Sequence, residues 1–123
     1  MASDAFGKFF RAARMKTGLS LREFCRQHGF DWGNTSKIER GKLPPPQGRQ
    51  KLEQYAKALS LQEGTDDWYD FFDLAAACSG RIPDAIMQDE DLVGQLPALF
   101  RTIQREAPTP EQLRRLIEDL RGV

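Results

Sequence analysis

Residues 19–42 read LSLREFCRQHGFDWGNTSKIERGK and contain two short helical patterns on either side of a glycine. Ser20-Leu21-Arg22-Glu23 fits the S-x-x-E capping box, which predicts a helix that starts at Ser20. Phe24 and the small Cys25 are expected to face inward from this helix, where a small side chain lets a second helix cross closely. Gly29 predicts its end, because glycine readily adopts the left-handed conformation found after helices.

The second pattern follows at once. Asp31 is a good capping residue for a helix that runs to about Arg40 with Thr35 and Ile38 facing inward. Two helices of this length around a tight turn are typical of the helix-turn-helix, in which the second helix enters the major groove of DNA.

The charge distribution also indicates a nucleic-acid partner. The chain is neutral overall, but residues 1–57 carry a net +7 and residues 58–123 a net −7. Such asymmetry between halves favours nucleic-acid contact by the basic half, although two ordinary solvated faces explain it equally well. The overall pI does not argue against DNA binding, because the field that matters is local.

Helical periodicity dominates the rest of the chain, and no strand pattern stands out, so the predicted fold class is all-α. Including the two helices above, five short helices are expected before residue 79. The other three have apolar stripes at Phe6, Phe9, Phe10 and Ala13; at Leu52, Tyr55, Ala56 and Leu59; and at Trp68, Phe71, Phe72 and Ala75. The aromatic residues near Trp68 are expected in the core or, in part, in a subunit interface.

A different pattern begins after Gly80. Residues 81–89 have no helical stripe and are predicted to be an extended connector. Leu92, Leu96, Leu99, Phe100 and Ile103 form a stripe that Pro97 interrupts, which predicts either one kinked helix or two short ones. Thr109-Pro110-Glu111-Gln112 is a strong helix start. The last stripe comprises Leu113, Leu116, Ile117 and Leu120, and Gly122 is expected to end that helix.

Residues 6–60 resemble the Cro/C1-type (XRE) family of DNA-binding regulators. The resemblance rests on Leu19, Glu23, Phe24-Cys25, Gly29, the run SKIERGK at 36–42 and YAKAL at 55–59. It implies a five-helix, lambda repressor-like DNA-binding domain over residues 1–79 and a helical extension for dimerisation or partner docking over residues 80–123. It also implies a transcriptional regulator, an (auto)repressor, that reads a double-stranded DNA operator as a homodimer.

The resemblance implies a DNA-binding surface that comprises Ser20, Arg22, Trp32, Gly33, Asn34, Lys37, Arg40 and Lys42. At the recognition helix, Lys37 would donate to guanine and Asn34 would pair with adenine. Trp32 would contact a thymine methyl or fold back on the protein. The helix start at Ser20 would hold a phosphate, and Arg22, Arg40 and Lys42 would add salt-dependent phosphate contacts. A partly buried ion pair between Arg14 and Glu39 is also implied.

Three features depart from the family pattern. Leu21 stands where many relatives carry a polar residue that contacts phosphate. The segment between Gly41 and the fourth helix is about two residues longer and contains three prolines, which puts its phosphate contacts in doubt. Gly33 offers no side chain for base reading.

Two other functions remain open. The chain is an antitoxin that also represses its operon if the acidic C-terminal half masks a basic toxin. Alternatively, it is a protein-interaction adaptor that has lost DNA binding, which Leu21, Trp32 and Gly33 favour. In either case the acidic half would dock a partner protein, a toxin or an effector.

Other classes have little support in the sequence. His28 is the only histidine and forms a lone C-x-x-H with Cys25, too few ligands for zinc. No catalytic constellation or phosphate-binding loop is present, so we expect neither an enzyme nor a cofactor. No apolar run is long enough to span a membrane. With no secretory signal and two cysteines expected as reduced thiols, we expect a cytoplasmic protein.

Overall fold

The computed structural model describes the backbone of residues 4–120 and, within that range, the side chains of all residues except 84–85 and 116–120. The described chain is helical, with no strand, which confirms the all-α prediction. Its helices are α1 Ala5–Lys16, α2 Leu21–His28, α3 Trp32–Glu39, α4 Arg49–Ala58, α5 Asp66–Cys78, α6 Asp84–Met87, α7 Glu90–Glu106 and α8 Pro110–Leu120. None of these helices is long and apolar enough to cross a membrane.

Three helices begin at capping residues: α2 at Ser20 and α3 at Asp31, as the sequence predicts, and α5 at Thr65. Each side-chain oxygen accepts a hydrogen bond from the backbone N–H three residues later, at 3.2, 2.8 and 3.3 Å respectively. These bonds satisfy donors that have no partner inside the helix. The starts of these three helices are therefore determined by residues next to them in the sequence.

The core of the first five helices is an aromatic cluster around Phe10, which is completely buried. The Phe10 ring centre lies 5.9 Å from that of Phe24 on α2 and 5.1 Å from that of Tyr55 on α4. It lies 6.5 Å from the ring centre of Phe71 on α5. One side chain of α1 therefore packs against three other helices, and edge-to-face aromatic contacts contribute beyond the buried area.

Helix α1 also passes very close to the end of α3. A Cβ atom at Gly7 would lie 2.5 Å from the carbonyl oxygen of Ile38 and 2.6 Å from that of Glu39. No side chain fits such a gap, so glycine is required at residue 7 for packing. The apolar stripe of α1 gave no sign of this contact.

The chain divides into two units, Met1–Pro83 and Asp84–Val123. In the second unit the extended connector predicted over residues 81–89 is wrong in part, because Asp84–Met87 forms the short helix α6. A helix this short has no room for the stripe that marks longer ones. Helix α7 is one helix that contains Pro97, rather than two.

Helix α8 starts as the sequence predicts. The backbone N–H of Thr109 donates to Gln112 at 2.8 Å, and the N–H of Gln112 donates to the Thr109 hydroxyl at 3.2 Å, which completes a capping box. Leu113 is 37% exposed. The remaining stripe residues Leu116, Ile117 and Leu120, and the end predicted at Gly122, lie outside the described side chains and residues.

Candidate nucleic-acid interface

Helices α2 and α3 are joined by a tight turn at Gly29. Gly29 has φ +74°, in the left-handed region that favours glycine. The next N–H, of Phe30, donates to the carbonyl of Cys25 at 2.9 Å and closes the end of α2. Cys25 is 3% exposed and its thiol lies beside Thr35 of α3, so the two helices meet at this small side chain.

A buried hydroxyl pair attaches α3 to α4. The Thr35 hydroxyl donates to the backbone carbonyl of Asp31 at 2.8 Å, which leaves its oxygen to accept from the Tyr55 hydroxyl at 3.1 Å. Thr35 is fully buried and Tyr55 is 2% exposed. Burial raises the pKa of the Tyr55 phenol above its ordinary value, so the hydroxyl stays protonated and able to donate.

The end of α3 is attached to α1 by an ion pair. The Arg14 guanidinium donates to the Glu39 carboxylate through Nε at 2.7 Å and through Nη2 at 3.1 Å. Its Nη1 donates to the carbonyl of Leu19 at 2.9 Å. The two side chains are only 11% and 6% exposed. The ion pair that the resemblance implies is therefore present, and it holds the start of α2 as well.

With Thr35 and Ile38 turned inward, the other side of α3 is open. Asn34 and Lys37 are exposed and lie three residues apart, on one face of the helix. The following loop folds back on α3, because the carbonyl of Lys37 accepts the N–H groups of Lys42 at 2.8 Å and Leu43 at 3.2 Å. Lys42 is thereby brought to the C-terminal end of the helix, next to exposed Arg40.

At the other end of α3, Trp32 lies against Arg22 of α2. The Arg22 guanidinium carbon is 5.1 Å from the centre of the Trp32 ring, within cation–π range, and 47% of Trp32 remains exposed. Trp32 thus packs against Arg22, while much of its side chain remains accessible to solvent. The sequence gave no signal for this pairing, because the two residues lie on different helices.

The remaining predicted positions fall on the same two helices. Ser20 is exposed at the start of α2, and Gly33 is half-buried on α3. Gly33 has room for a side chain, since its nearest neighbour to an added Cβ would be Asp31 Oδ2 at 3.4 Å. The α2–α3 surface, meaning the eight positions predicted for DNA contact, is therefore carried by α2, α3 and the loop after α3.

The α2–α3 surface carries four cationic side chains. Among the residues that the structure describes, no ion pair involves Arg22, Lys37, Arg40 or Lys42. Neighbouring Arg26 differs, because it pairs with Glu23. Even with the exposed Asp31 carboxylate at the start of α3, these four cations leave the α2–α3 surface with a net positive charge.

One cation beside this surface was missed by the sequence analysis. The ammonium of Lys51 on α4 lies 4.9 Å from the ring centre of Phe30 and 5.3 Å from that of Tyr55. The two rings stack at 4.1 Å. Only the i,i+4 spacing of Lys51 and Tyr55 on one helix hinted at the contact. The positive surface therefore continues past the α2–α3 turn.

The described residues give little support to metal binding or to thiol chemistry. No group of three or more His, Cys, Asp or Glu side chains suited to a metal ion occurs in the described part of the chain. The ring of His28 lies 5.1 Å from that of Phe24. Burial raises the pKa of the Cys25 thiol, which keeps it neutral and unreactive.

No protein-family model matches the chain, and no curated protein or solved structure is significantly similar to it. Membership of the Cro/C1-type family therefore stays a prediction that rests on the motifs in residues 19–42 and 55–59.

Proposed function

We propose that this chain is a cytoplasmic, sequence-specific DNA-binding regulator that represses transcription as a homodimer. In this proposal residues 1–79 form a five-helix, Cro/C1-type domain with α3 as its recognition helix. One observation carries the proposal: buried contacts attach α3 to α1 and α4, while its opposite face presents Asn34 and Lys37 among unpaired cations. A helix that is packed on one side and polar and cationic on the other suits the major groove.

Each side chain has a role that its chemistry supports. Lys37 donates to guanine O6 or N7, and Asn34 pairs with the adenine edge. The free amides at the start of α2, beside Ser20, hold a phosphate. Arg40 and Lys42 at the end of α3 contact the DNA backbone, where they add affinity without sequence preference.

The direct test is selection from a random pool of DNA duplexes, followed by titration of the selected site at several salt concentrations. With Arg22, Arg40 and Lys42 on phosphates, log K should fall linearly with log salt, with a slope of about −3 for each bound subunit. Lys8→Gln is the control and should leave the salt slope unchanged, because Lys8 is exposed on α1 and already paired with Asp4. An affinity unchanged between low and moderate salt would count against DNA binding.

A second candidate is the protein-interaction adaptor, which the contact between Arg22 and Trp32 favours. Tryptophan and arginine are the residues that most often carry the energy of protein interfaces. In that case the chain would bind no DNA even at low salt. A protein that co-purifies with the chain would be lost with Trp32→Ala and retained with Lys8→Gln.

A further inference from the structure

Helix α7 has an apolar face whose side chains are about half exposed. None of its described residues is buried. Leu92, Leu99, Phe100 and Ile103 are 49%, 48%, 44% and 41% exposed. With half-buried Leu96, the positions 92, 96, 99 and 103 alternate steps of four and three residues. This is the a/d spacing of a helix that packs against another helix along its length.

The residues that flank this seam are uncharged. Val93 and Phe100 lie on one side of it, and Gln95 and Thr102 on the other. In paired helices these flanking positions select or reject a partner by charge. A second α7 therefore meets no like charge beside the seam, whereas a strongly charged partner would find nothing complementary there.

The two ends of α7 differ in net charge. Asp89, Glu90 and Asp91 give its N-terminal end a net −3, whereas Arg101, Arg105 and Glu106 give its last two turns a net +1. A parallel pair would bring the acidic ends of two copies together. An antiparallel pair places the acidic end of each helix near the basic end of the other, and it also opposes the helix dipoles.

We propose that α7 is the surface through which two copies of this chain associate, with the helices antiparallel. Leu92 of each copy then faces Ile103 of the other, and Leu96 faces Leu99. The arrangement is two-fold symmetric and closed, so it ends at a dimer. This inference rests on the homodimer of the proposed function and names its interface.

The first test is the mass of the full chain in solution by light scattering, without DNA. The wild type should have the mass of a dimer. Leu99→Glu places two carboxylates in a symmetric seam and should weaken association by about 100-fold or more, giving monomers at micromolar concentration. Met15→Glu is the matched control, since Met15 is 61% exposed on α1, and it should remain dimeric.

Circular dichroism then separates dissociation from unfolding, because Leu99→Glu should keep the helical signal of the first five helices. A wild-type chain that is monomeric, or a Leu99→Glu variant that stays dimeric, would overturn the proposal. Either result leaves DNA binding by the α2–α3 surface untouched, since a monomer can still be titrated with DNA.

The second test addresses orientation, in a Cys78→Ser background in which Cys25 is buried. Leu92→Cys and Ile103→Cys chains are prepared separately, mixed and oxidised. The antiparallel pair predicts a disulfide-linked dimer from the mixture and little from either variant alone. Efficient cross-linking of either variant with itself would show a parallel pair, and no cross-link in the mixture would exclude this seam; both results overturn the proposal.

Discussion

At the residue scale, the orientation of α3 depends on side chains that never reach its exposed face. Arg14 and Glu39 are nearly buried, and every Arg14 nitrogen has an acceptor on Glu39 or Leu19. A buried ion pair gives little net stability, but removing one partner leaves an uncompensated charge inside the protein. We therefore expect substitution of either Arg14 or Glu39 to destabilise the protein, although neither side chain reaches the exposed face of α3.

Glu39→Ala should destabilise the protein by roughly 3 kcal/mol, because it leaves the Arg14 guanidinium buried and unpaired. Thermal melting measures the loss. Glu53→Ala is the control, since it breaks an exposed pair with Arg49 on α4 and should cost no more than about 0.5 kcal/mol. Operator preference should stay the same in Glu39→Ala; a normally stable variant with altered preference would refute this structural role.

Tyr55 makes stability depend on pH in the alkaline range. Burial raises its pKa above the ordinary value of about 10, so the folded state holds the phenol proton more tightly than the unfolded state. The stabilisation is complete below pH 10 and is lost as pH rises through the folded-state pKa. Tyr55→Phe removes the hydrogen bond to Thr35, so it should lower the free energy of unfolding by about 1 kcal/mol at neutral pH.

The measurement is denaturant unfolding of the wild type and of Tyr55→Phe between pH 7 and pH 11. The gap in unfolding free energy should narrow above pH 10, because only the wild type loses this stabilisation. All other side chains are the same in both proteins, so their contributions cancel in the comparison. A constant gap across the range would mean that Tyr55 is not protonated more tightly in the folded state.

At the element scale, the sequence predicted helix positions well wherever the signal is local. Caps such as Ser20, Asp31 and Thr65 act on donors three residues away, so a short stretch of sequence contains the whole interaction. Contacts between helices are different. The stack of Arg22 on Trp32 and the close approach of α1 at Gly7 depend on how helices cross, which no local pattern specifies.

Gly7→Ala tests the closest of these approaches. Alanine favours helix over glycine by about 1 kcal/mol, but here its Cβ would overlap two backbone carbonyls of α3, so we expect a net loss of about 1–2 kcal/mol. Gly33→Ala is the matched control within α3, where a Cβ has room, and it should stabilise slightly. Melting temperatures that move in the same direction for both variants would contradict the packing described for α1 and α3.

At the scale of the whole molecule, the two units differ in what they bury. Helices α1 to α5 enclose the aromatic core, whereas no described residue of α7 is buried. The sequence indicated both the five-helix core and the separate apolar stripe of α7. It could not show whether the stripe packs inside the chain, because amphipathic periodicity reveals an apolar face but not what covers it.

The central claim is that the α2–α3 surface reads DNA, and Lys37→Ala tests it most directly against Lys42→Ala. Each variant is titrated with the selected operator and with scrambled DNA of equal length. We predict that Lys37→Ala costs about 1–3 kcal/mol on the operator with little effect on scrambled DNA. Lys42→Ala should weaken binding to both DNAs equally and reduce the salt slope by about one for each subunit. If neither substitution changes binding to either DNA, the α2–α3 surface does not contact DNA and the claim is wrong.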